Sequence, residues 1–247
     1  MNLCSKENEF ETIEQELKKL KTKIDEFENE KEVLSKTNNL LHNGLCLILG
    51  DKKFRDKKNA INELQNASNG GNRYASFVLG LLYESGDEVK RDIEKSLKYY
   101  EKSAEQGNSC GYHKIGFCYR KGIGVKQNFS KAIEFYEKAA ELGNSAALNN
   151  LGGLYEYGKG VKKDLAKAIE YYEKAAEFND SAALFNLGDI YESGEGIKKD
   201  YSKAIEFYEK AAELGNSDAL NNLGGLYESG KGVKKDLAKA IEYYEKA

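Results

Sequence analysis

Apolar residues recur through most of this chain at the spacing of one face of an α-helix, in short segments separated by turns that contain glycine. The segment 147–157 has such a face, and Gly158 ends it, because glycine adopts a left-handed backbone conformation at no steric cost. Asp164 follows, and its carboxylate can accept free backbone N–H groups at the start of a second helix. That helix places Ala168 and Tyr172 on its apolar face. The pattern therefore predicts a helical hairpin.

The hairpin pattern repeats every 36 residues, which decides the fold class. Gly80 and Gly86 recur with this period to the end of the chain, and a degenerate first copy keeps Gly44 and Gly50. One hairpin is too small to bury its own apolar face, so neighbouring copies must stack. The copies span 39–74 (degenerate), 75–110, 111–146, 147–182, 183–218 and 219–247 (truncated).

The repeated motif resembles that of the Sel-1-like repeat family, which is related to the tetratricopeptide repeat. The segment ALNNLGGLYEYGKGVKKDLAKAIEYYEKAAEFND carries the motif almost completely, with its glycines, tyrosines and capping Asp164 in register. The resemblance covers 75–247 well and 39–74 weakly. It implies an all-α fold, a right-handed α-solenoid of 36-residue helix-turn-helix repeats, and a role in holding other proteins together. It names no ligand.

The first 38 residues follow a different pattern, a 3-4 spacing of apolar residues typical of a coiled-coil helix. Three partners can cover this apolar seam. A second copy of the chain would give a homodimer through residues 10–34. Alternatively, the helix folds back on the apolar first copy of the repeat, or it pairs with a helix of another protein. The seam consists of Phe10, Ile13, Leu17, Leu20, Ile24, Phe27 and Leu34.

Composition and charge exclude several classes of protein. Lys and Arg number 38 against 41 Asp and Glu, a net charge of −3, whereas a nucleic-acid-binding protein would show a basic stripe. No apolar run reaches the roughly 18 residues of a membrane span. The first ten residues are too charged for a secretory signal, so we expect a cytoplasmic protein that contacts neither nucleic acid nor membrane.

Residues for catalysis or for holding a cofactor are scarce. The four cysteines, Cys4, Cys46, Cys110 and Cys118, have no regular spacing. His113 is near Cys110 and Cys118, but two or three ligands without a fourth make a poor zinc site. The Gly-x-Gly segments lack the third glycine of a dinucleotide site and the strand that would precede it. With two histidines, no catalytic set can be assembled. We therefore predict a protein that is not an enzyme and holds no cofactor or metal.

Candidate binding residues come from the first helix of each copy. If the copies stack as tetratricopeptide repeats do, residues two before and two after the leucine of each Leu-Gly pair face outward into a concave groove, with further positions along the same face. These positions vary between copies, either because the surface binds a ligand or because these positions merely tolerate substitution. The candidates are Phe77, Leu81, His113, Phe117, Arg120, Asn149, Glu156, Phe185, Asp189, Glu192 and Asn221.

The function predicted from these patterns is that of a non-enzymatic scaffold or adaptor, which binds a partner protein or peptide in the groove. One alternative is a structural spacer, whose coiled coil sets an oligomer. Another is a regulatory part of a larger signalling protein, since the chain stops within a second helix. Partner and pathway have no signature in the sequence.

Overall fold

A computed structural model of the chain describes residues 17–18, 21–22, 43–45, 57–86 and 89–247. These residues form helices and connecting turns, with no strand among them. They belong to two compact units, Met1–Leu142 (unit 1) and Gly143–Ala247 (unit 2). The helices of unit 1 are α1 (Lys57–Asn69), α2 (Arg73–Ser85), α3 (Ile93–Glu105), α4 (Ser109–Lys121) and α5 (Phe129–Glu141). Those of unit 2 are α6 (Ser145–Tyr157), α7 (Leu165–Ala176), α8 (Ser181–Ser193), α9 (Tyr201–Glu213), α10 (Ser217–Ser229) and α11 (Leu237–Lys246).

The helices pair into hairpins, and the hairpins of each unit stack on one another. In unit 1, α2 packs on α3 and α4 packs on α5, while α3 also contacts α4. In unit 2 the pairs are α6–α7, α8–α9 and α10–α11, joined by contacts of α7 with α8 and of α9 with α10. The all-helical repeat-solenoid fold predicted from the sequence is confirmed.

Capping residues set the limits of the helices at the positions that the sequence indicated. Asn144 accepts a hydrogen bond from the backbone N–H of Ala147 at 2.9 Å, and Asp164 accepts one from Lys167 at 3.0 Å. Gly158 ends α6 with φ 64°, in the left-handed region. Each cap supplies a partner to a backbone group that the helix itself leaves free. The turns are therefore built by local chemistry.

A glycine in the first helix lets the second helix approach closely. A Cβ atom added at Gly152 would lie 2.6 Å from Cε1 of Tyr172, whose side chain is 1% exposed. The same contact relates Gly188 to Tyr208, with a distance of 2.5 Å to Cε1. No side chain fits at these positions, so glycine is needed for the tyrosine to pack this closely. This glycine–tyrosine contact joins the two helices of the hairpin, and every later copy repeats it.

A pair of stacked aromatic rings also joins the two helices of each hairpin. Tyr171 of α7 stacks on Tyr155 of α6, with centroids 5.5 Å apart. Lys167 donates a hydrogen bond to the hydroxyl of Tyr155 at 2.7 Å. Tyr83 and Tyr99 stack in the same way at 5.6 Å. These aromatic rings join the two helices of one hairpin, so they are part of its structure.

The N-terminal seam is described at one of its positions. Leu17 is 2% exposed and belongs to the hydrophobic core cluster of unit 1, together with Leu45, Leu64 and Leu79. This burial favours the interpretation in which the N-terminal helix folds back on the repeats. The other seam residues lie outside the described residues, and the homodimer through residues 10–34 stays a prediction. They are Phe10, Ile13, Leu20, Ile24, Phe27 and Leu34.

Candidate functional site

The candidate residues of one copy gather around the tyrosine that its second helix contributes. In the hairpin α8–α9, the ring of Phe185 lies 5.8 Å from that of Tyr208, between centroids. The Tyr208 hydroxyl donates to Oδ1 of Asp189 at 2.9 Å, and Oε2 of Glu192 lies 3.0 Å from it. Burial, followed by the charges of the two carboxylates, raises the pKa of Tyr208, so this hydroxyl stays protonated and acts as a donor. It therefore restrains Asp189, and Glu192 is close enough to accept the same proton instead.

The neighbouring hairpin α6–α7 has the same arrangement with smaller side chains. The hydroxyl of Tyr172 donates to Oε2 of Glu156 at 2.7 Å. Gly153 takes the position of Asp189, and a Cβ atom added there would lie 3.6 Å from the Tyr172 hydroxyl. Burial raises the pKa of the Glu156 carboxyl, and the negative charge of Asp189 adds to this effect. The two copies therefore share one geometry and differ in what they present to solvent.

Asparagine side chains connect the copies of unit 2 along this surface. The amide of Asn186 donates to Oδ1 of Asn149 at 2.9 Å. The amide of Asn222 lies 3.4 Å from Oδ1 of Asp189. Each of these contacts joins the first helices of successive copies. The result is a row of carboxamides and carboxylates across α6, α8 and α10.

A cavity of about 560 Å³ opens beside this row, at the C-terminal ends of α6 and α8. Leu165 and Ile190 supply apolar surface to its wall, and Lys163 pairs with Glu195 at 3.1 Å. The remaining charged residues of the wall are the carboxylates Glu156, Asp189 and Glu192. Because Lys163 and Glu195 neutralise each other, the three remaining carboxylates give the cavity wall a negative charge. We call the first-helix residues Asn149, Glu156, Phe185, Asn186, Asp189, Glu192, Asn221 and Asn222 the polar face of unit 2.

Unit 1 places different chemistry at the corresponding positions. The ring of His113 lies 5.6 Å from that of Tyr136, and the guanidinium of Arg120 lies over the ring of Phe117 at 5.2 Å. Burial and the nearby charges of Lys114 and Arg120 lower the pKa of His113 to about 3. His113 is therefore neutral near pH 7, and this hairpin has an arginine where four other copies have a glutamate.

The expectation that all the candidate residues face outward is wrong for two of them. Leu81 is 0% and Phe77 is 9% exposed, and both belong to the core cluster of unit 1. His113, Phe117 and Phe185 are half-buried, because each packs on a neighbouring ring or cation. Asp189 and Asn221 are exposed as expected. Arg120, Asn149, Glu156 and Glu192 lie between these extremes.

Sequence reasoning missed the tyrosine hydroxyls and the second row of asparagines, Asn186 and Asn222. A signal for the hydroxyls is present in the chain, because in four copies a glutamate stands 16 residues before the tyrosine that packs against the first-helix glycine. The hydroxyl of that tyrosine contacts this glutamate in each case. The four pairs are Glu84–Tyr100, Glu156–Tyr172, Glu192–Tyr208 and Glu228–Tyr244.

Groups suited to metal binding or thiol chemistry do not assemble in the part of the chain that the structure describes. No cluster of three or more His, Cys, Asp or Glu residues in these ranges could hold a metal ion. Cys118 is 2% exposed, and burial raises the pKa of its thiol to about 12. A protonated, buried thiol is a poor nucleophile. None of the described helices is long and apolar enough to cross a membrane.

Comparison with known proteins identifies the repeat. The family model described as Sel1 repeat matches residues 73–108, 111–144, 145–178, 181–216 and 217–247. A Sel1 repeat protein from Oxalobacter formigenes is 33% identical, with a TM-score of 0.79 over 94% of this chain and 96% of that one. No curated protein matches the chain.

Two further solved structures are similar over most of the chain. The protective antigen c5321 of uropathogenic Escherichia coli is 28% identical, with a TM-score of 0.54 over 92% of this chain and 55% of its own. An immunity protein from Pseudomonas aeruginosa is 25% identical, with a TM-score of 0.58 over 89% of this chain and 84% of its own. The repeated hairpin is thus common to all three.

Proposed function

Because the chain belongs to the Sel1 repeat family, we propose that it is a non-enzymatic scaffold whose polar face in unit 2 binds an extended, basic segment of a partner protein. Sel1 repeat proteins generally mediate protein–protein interactions and are typically not enzymes. The family does not specify which residues bind. The chemistry of the polar face supports the finer part of the proposal.

The observation that carries the proposal is the exposed carboxylate of Asp189, held in place by a buried donor. Its Oδ1 accepts from Tyr208 at 2.9 Å, yet the residue remains exposed. A carboxylate accepts several hydrogen bonds, so Asp189 keeps acceptor capacity for a ligand. The restraint by Tyr208 lowers the conformational entropy that binding would otherwise cost.

The charge of the polar face selects the partner's chemistry. Glu156, Asp189 and Glu192 lie together, and Lys163 is paired with Glu195. An arginine or lysine side chain would gain charge-assisted hydrogen bonds here, whereas an acidic segment would be repelled. The asparagine amides can donate to, and accept from, the backbone of an extended segment.

The two alternative functions have less support from the described residues. A spacer organised by a coiled coil needs a free N-terminal seam, and Leu17 is buried within unit 1. The role as a regulatory part of a larger signalling protein stays a prediction, because no described residue bears on it. A bound cofactor is no part of the proposed function.

Variants that copy the neighbouring repeats test the proposal. A double variant combines Phe185→Asn with Asp189→Gly. It introduces the residue types that stand at these positions in the copies before and after, such as Asn149 and Gly153. Glu192 remains to accept from Tyr208, so the hairpin is expected to fold. The matched control is Glu206→Ala, on the exposed face of α9, where Glu206 pairs with Lys210.

The measurement is capture of proteins from a lysate of the source cells by the full chain, with helicity of every variant checked by circular dichroism. A partner of this site is captured by the wild type and by the control, is lost with the double variant, and is released as the salt concentration rises. If capture is the same for both variants, or survives high salt unchanged, the polar face is not the binding site.

A further inference from the structure

The position two residues after the Leu-Gly leucine differs between the two ends of the chain. Leu45 and Leu81 occupy it in the first two copies, and both are 0% exposed. Later copies have Phe117, Gly153 and Asp189 there, which are half-buried or exposed. Its register in the first copy is secure, because a Cβ at Gly44 would lie 2.7 Å from Cγ of Leu64, as one at Gly80 would lie 2.4 Å from Tyr100. This position is thus covered in the first two copies and open in the later ones.

The residue types at this position match the difference in exposure. Exposure of a leucine side chain to water is unfavourable, because its surface is entirely apolar. Glycine and aspartate carry no such cost. Phe77, on the same face of α2, is also buried, whereas its counterpart Asn221 in the last copy is exposed. The first two copies therefore carry an apolar face that something covers.

The described part of the N-terminal segment supplies a cover of the right chemistry. Leu17 is 2% exposed and lies in one hydrophobic cluster with Leu45, Phe77 and Leu81. Its helical neighbours Lys18 and Thr22 are exposed, so this segment turns one side to the protein and the other to water.

We propose that the helical segment containing Leu17 packs across the first-helix face of the first two copies and occupies it as an intramolecular ligand. In unit 1 it thereby covers the first-helix surface whose counterpart in unit 2 is the polar face. The regulatory meaning rests on the proposed function: while the segment is bound, a partner has no access to the first-helix face of the first two copies. Displacing it would require a partner with an apolar helix of its own.

Photo-cross-linking in the full chain tests where the segment packs. The chain has a single methionine, Met1, so Leu17→Met produced with photo-methionine places a reactive diazirine at the position in question. This substitution nearly conserves side-chain volume. Lys18→Met is the matched control, one residue away on the exposed side, and links formed from Met1 appear in the wild type and are subtracted.

The expected result is a set of cross-links from Leu17→Met to peptides containing Leu45, Phe77 or Leu81, which Lys18→Met lacks. Links to other helices, or the same links from both variants, would overturn the proposal. The reaction is run on a mixture of ¹⁵N-labelled and unlabelled chains. Links between a labelled and an unlabelled peptide would show that a second copy is the occupant, which also overturns it.

Hydrogen exchange provides a second readout that needs no introduced probe. In Leu17→Ala the amides of α2 should exchange at least about tenfold faster, because a buried leucine is truncated against this helix. Lys18→Ala should leave them unchanged, and α8 in unit 2 should be unaffected by either variant. Equal exchange of α2 in the two variants would contradict the proposal. Neither experiment involves a partner, so its failure is distinct from failure of the proposed function.

Discussion

The hydroxyl of Tyr208 donates to Oδ1 of Asp189 at 2.9 Å, which ties the second helix of a repeat to an exposed residue of its first helix. Tyr208 is itself 0% exposed. One side chain therefore packs in the core through its ring and reaches the polar face through its oxygen. A tyrosine stands at this position in every copy from 75–110 onward, and in this copy it thereby positions Asp189, the variable residue that would contact a partner.

Removal of this hydroxyl should weaken the hairpin without creating a cavity. For Tyr208→Phe we expect the free energy of unfolding to fall by about 1–2 kcal/mol, since a hydrogen bond to a charged group is lost. Urea denaturation of the full chain measures the change. Tyr171→Phe is the control, because Phe135 and Phe207 already stand at the equivalent position. An equal loss in the two variants would show that the contact with Asp189 contributes nothing special.

Alanine substitutions at two adjacent glycines of α6 should change the stability of the protein in opposite directions. In Gly152→Ala the new Cβ would lie 2.6 Å from Tyr172, so the helices must separate, and we expect a loss of about 2 kcal/mol or more. In Gly153→Ala the nearest atom is the Tyr172 hydroxyl at 3.6 Å, an ordinary contact. Here the better helix propensity of alanine should raise the free energy of unfolding by up to about 1 kcal/mol. Thermal unfolding of the two variants decides this, and a shift of the same sign in both would contradict it.

His113 should make the protein sensitive to acid. Its pKa is lowered from 6.5 to about 3 in the folded chain, so as the pH falls through 6.5 the unfolded chain takes up the proton first. Above pH 6.5 this group does not lower the free energy of unfolding. Between pH 6.5 and about 3 the free energy of unfolding falls as the pH falls. The loss approaches about 1.4 kcal/mol for each pH unit within this window.

The variant His113→Phe should flatten that dependence, because Phe77 and Phe185 occupy the equivalent positions of other copies. Urea denaturation at a series of pH values compares the two chains. We expect the curves to diverge only below pH 6.5, with the wild type losing more stability. Parallel curves through the acidic range would mean that His113 takes up its proton equally well in the folded protein.

The capping aspartates should matter more than their exposure suggests. Asp164 is exposed, yet it accepts from the backbone N–H of Lys167 at 3.0 Å at the start of α7. Asp164→Ala should therefore cost about 1 kcal/mol of stability. Lys162→Ala, in the same turn and also exposed, should change it by less than about 0.5 kcal/mol. Urea denaturation distinguishes the two, and matching losses would show that the cap is dispensable.

The sequence by itself was sufficient for the repeat, its hairpins and their caps, because these depend on local chemistry. Asp164, Asn144 and Gly158 act on backbone groups within a few residues of themselves, and the 3.6-residue periodicity of a helix places Tyr172 on its buried side. The repetition of the motif also implied stacking, since one hairpin cannot bury its own apolar face. Such features need no knowledge of residues distant in the chain.

Only the tertiary structure decided which candidate positions are open. Leu81 and Asp189 occupy equivalent positions of the motif, yet the first is fully buried and the second is exposed. Likewise, the contacts of Tyr208 with Asp189 and of Asn186 with Asn149 join residues on different helices. Exposure and hydrogen bonding at a surface depend on what packs against it from elsewhere in the chain. The periodicity of one helix carries no information about that neighbour.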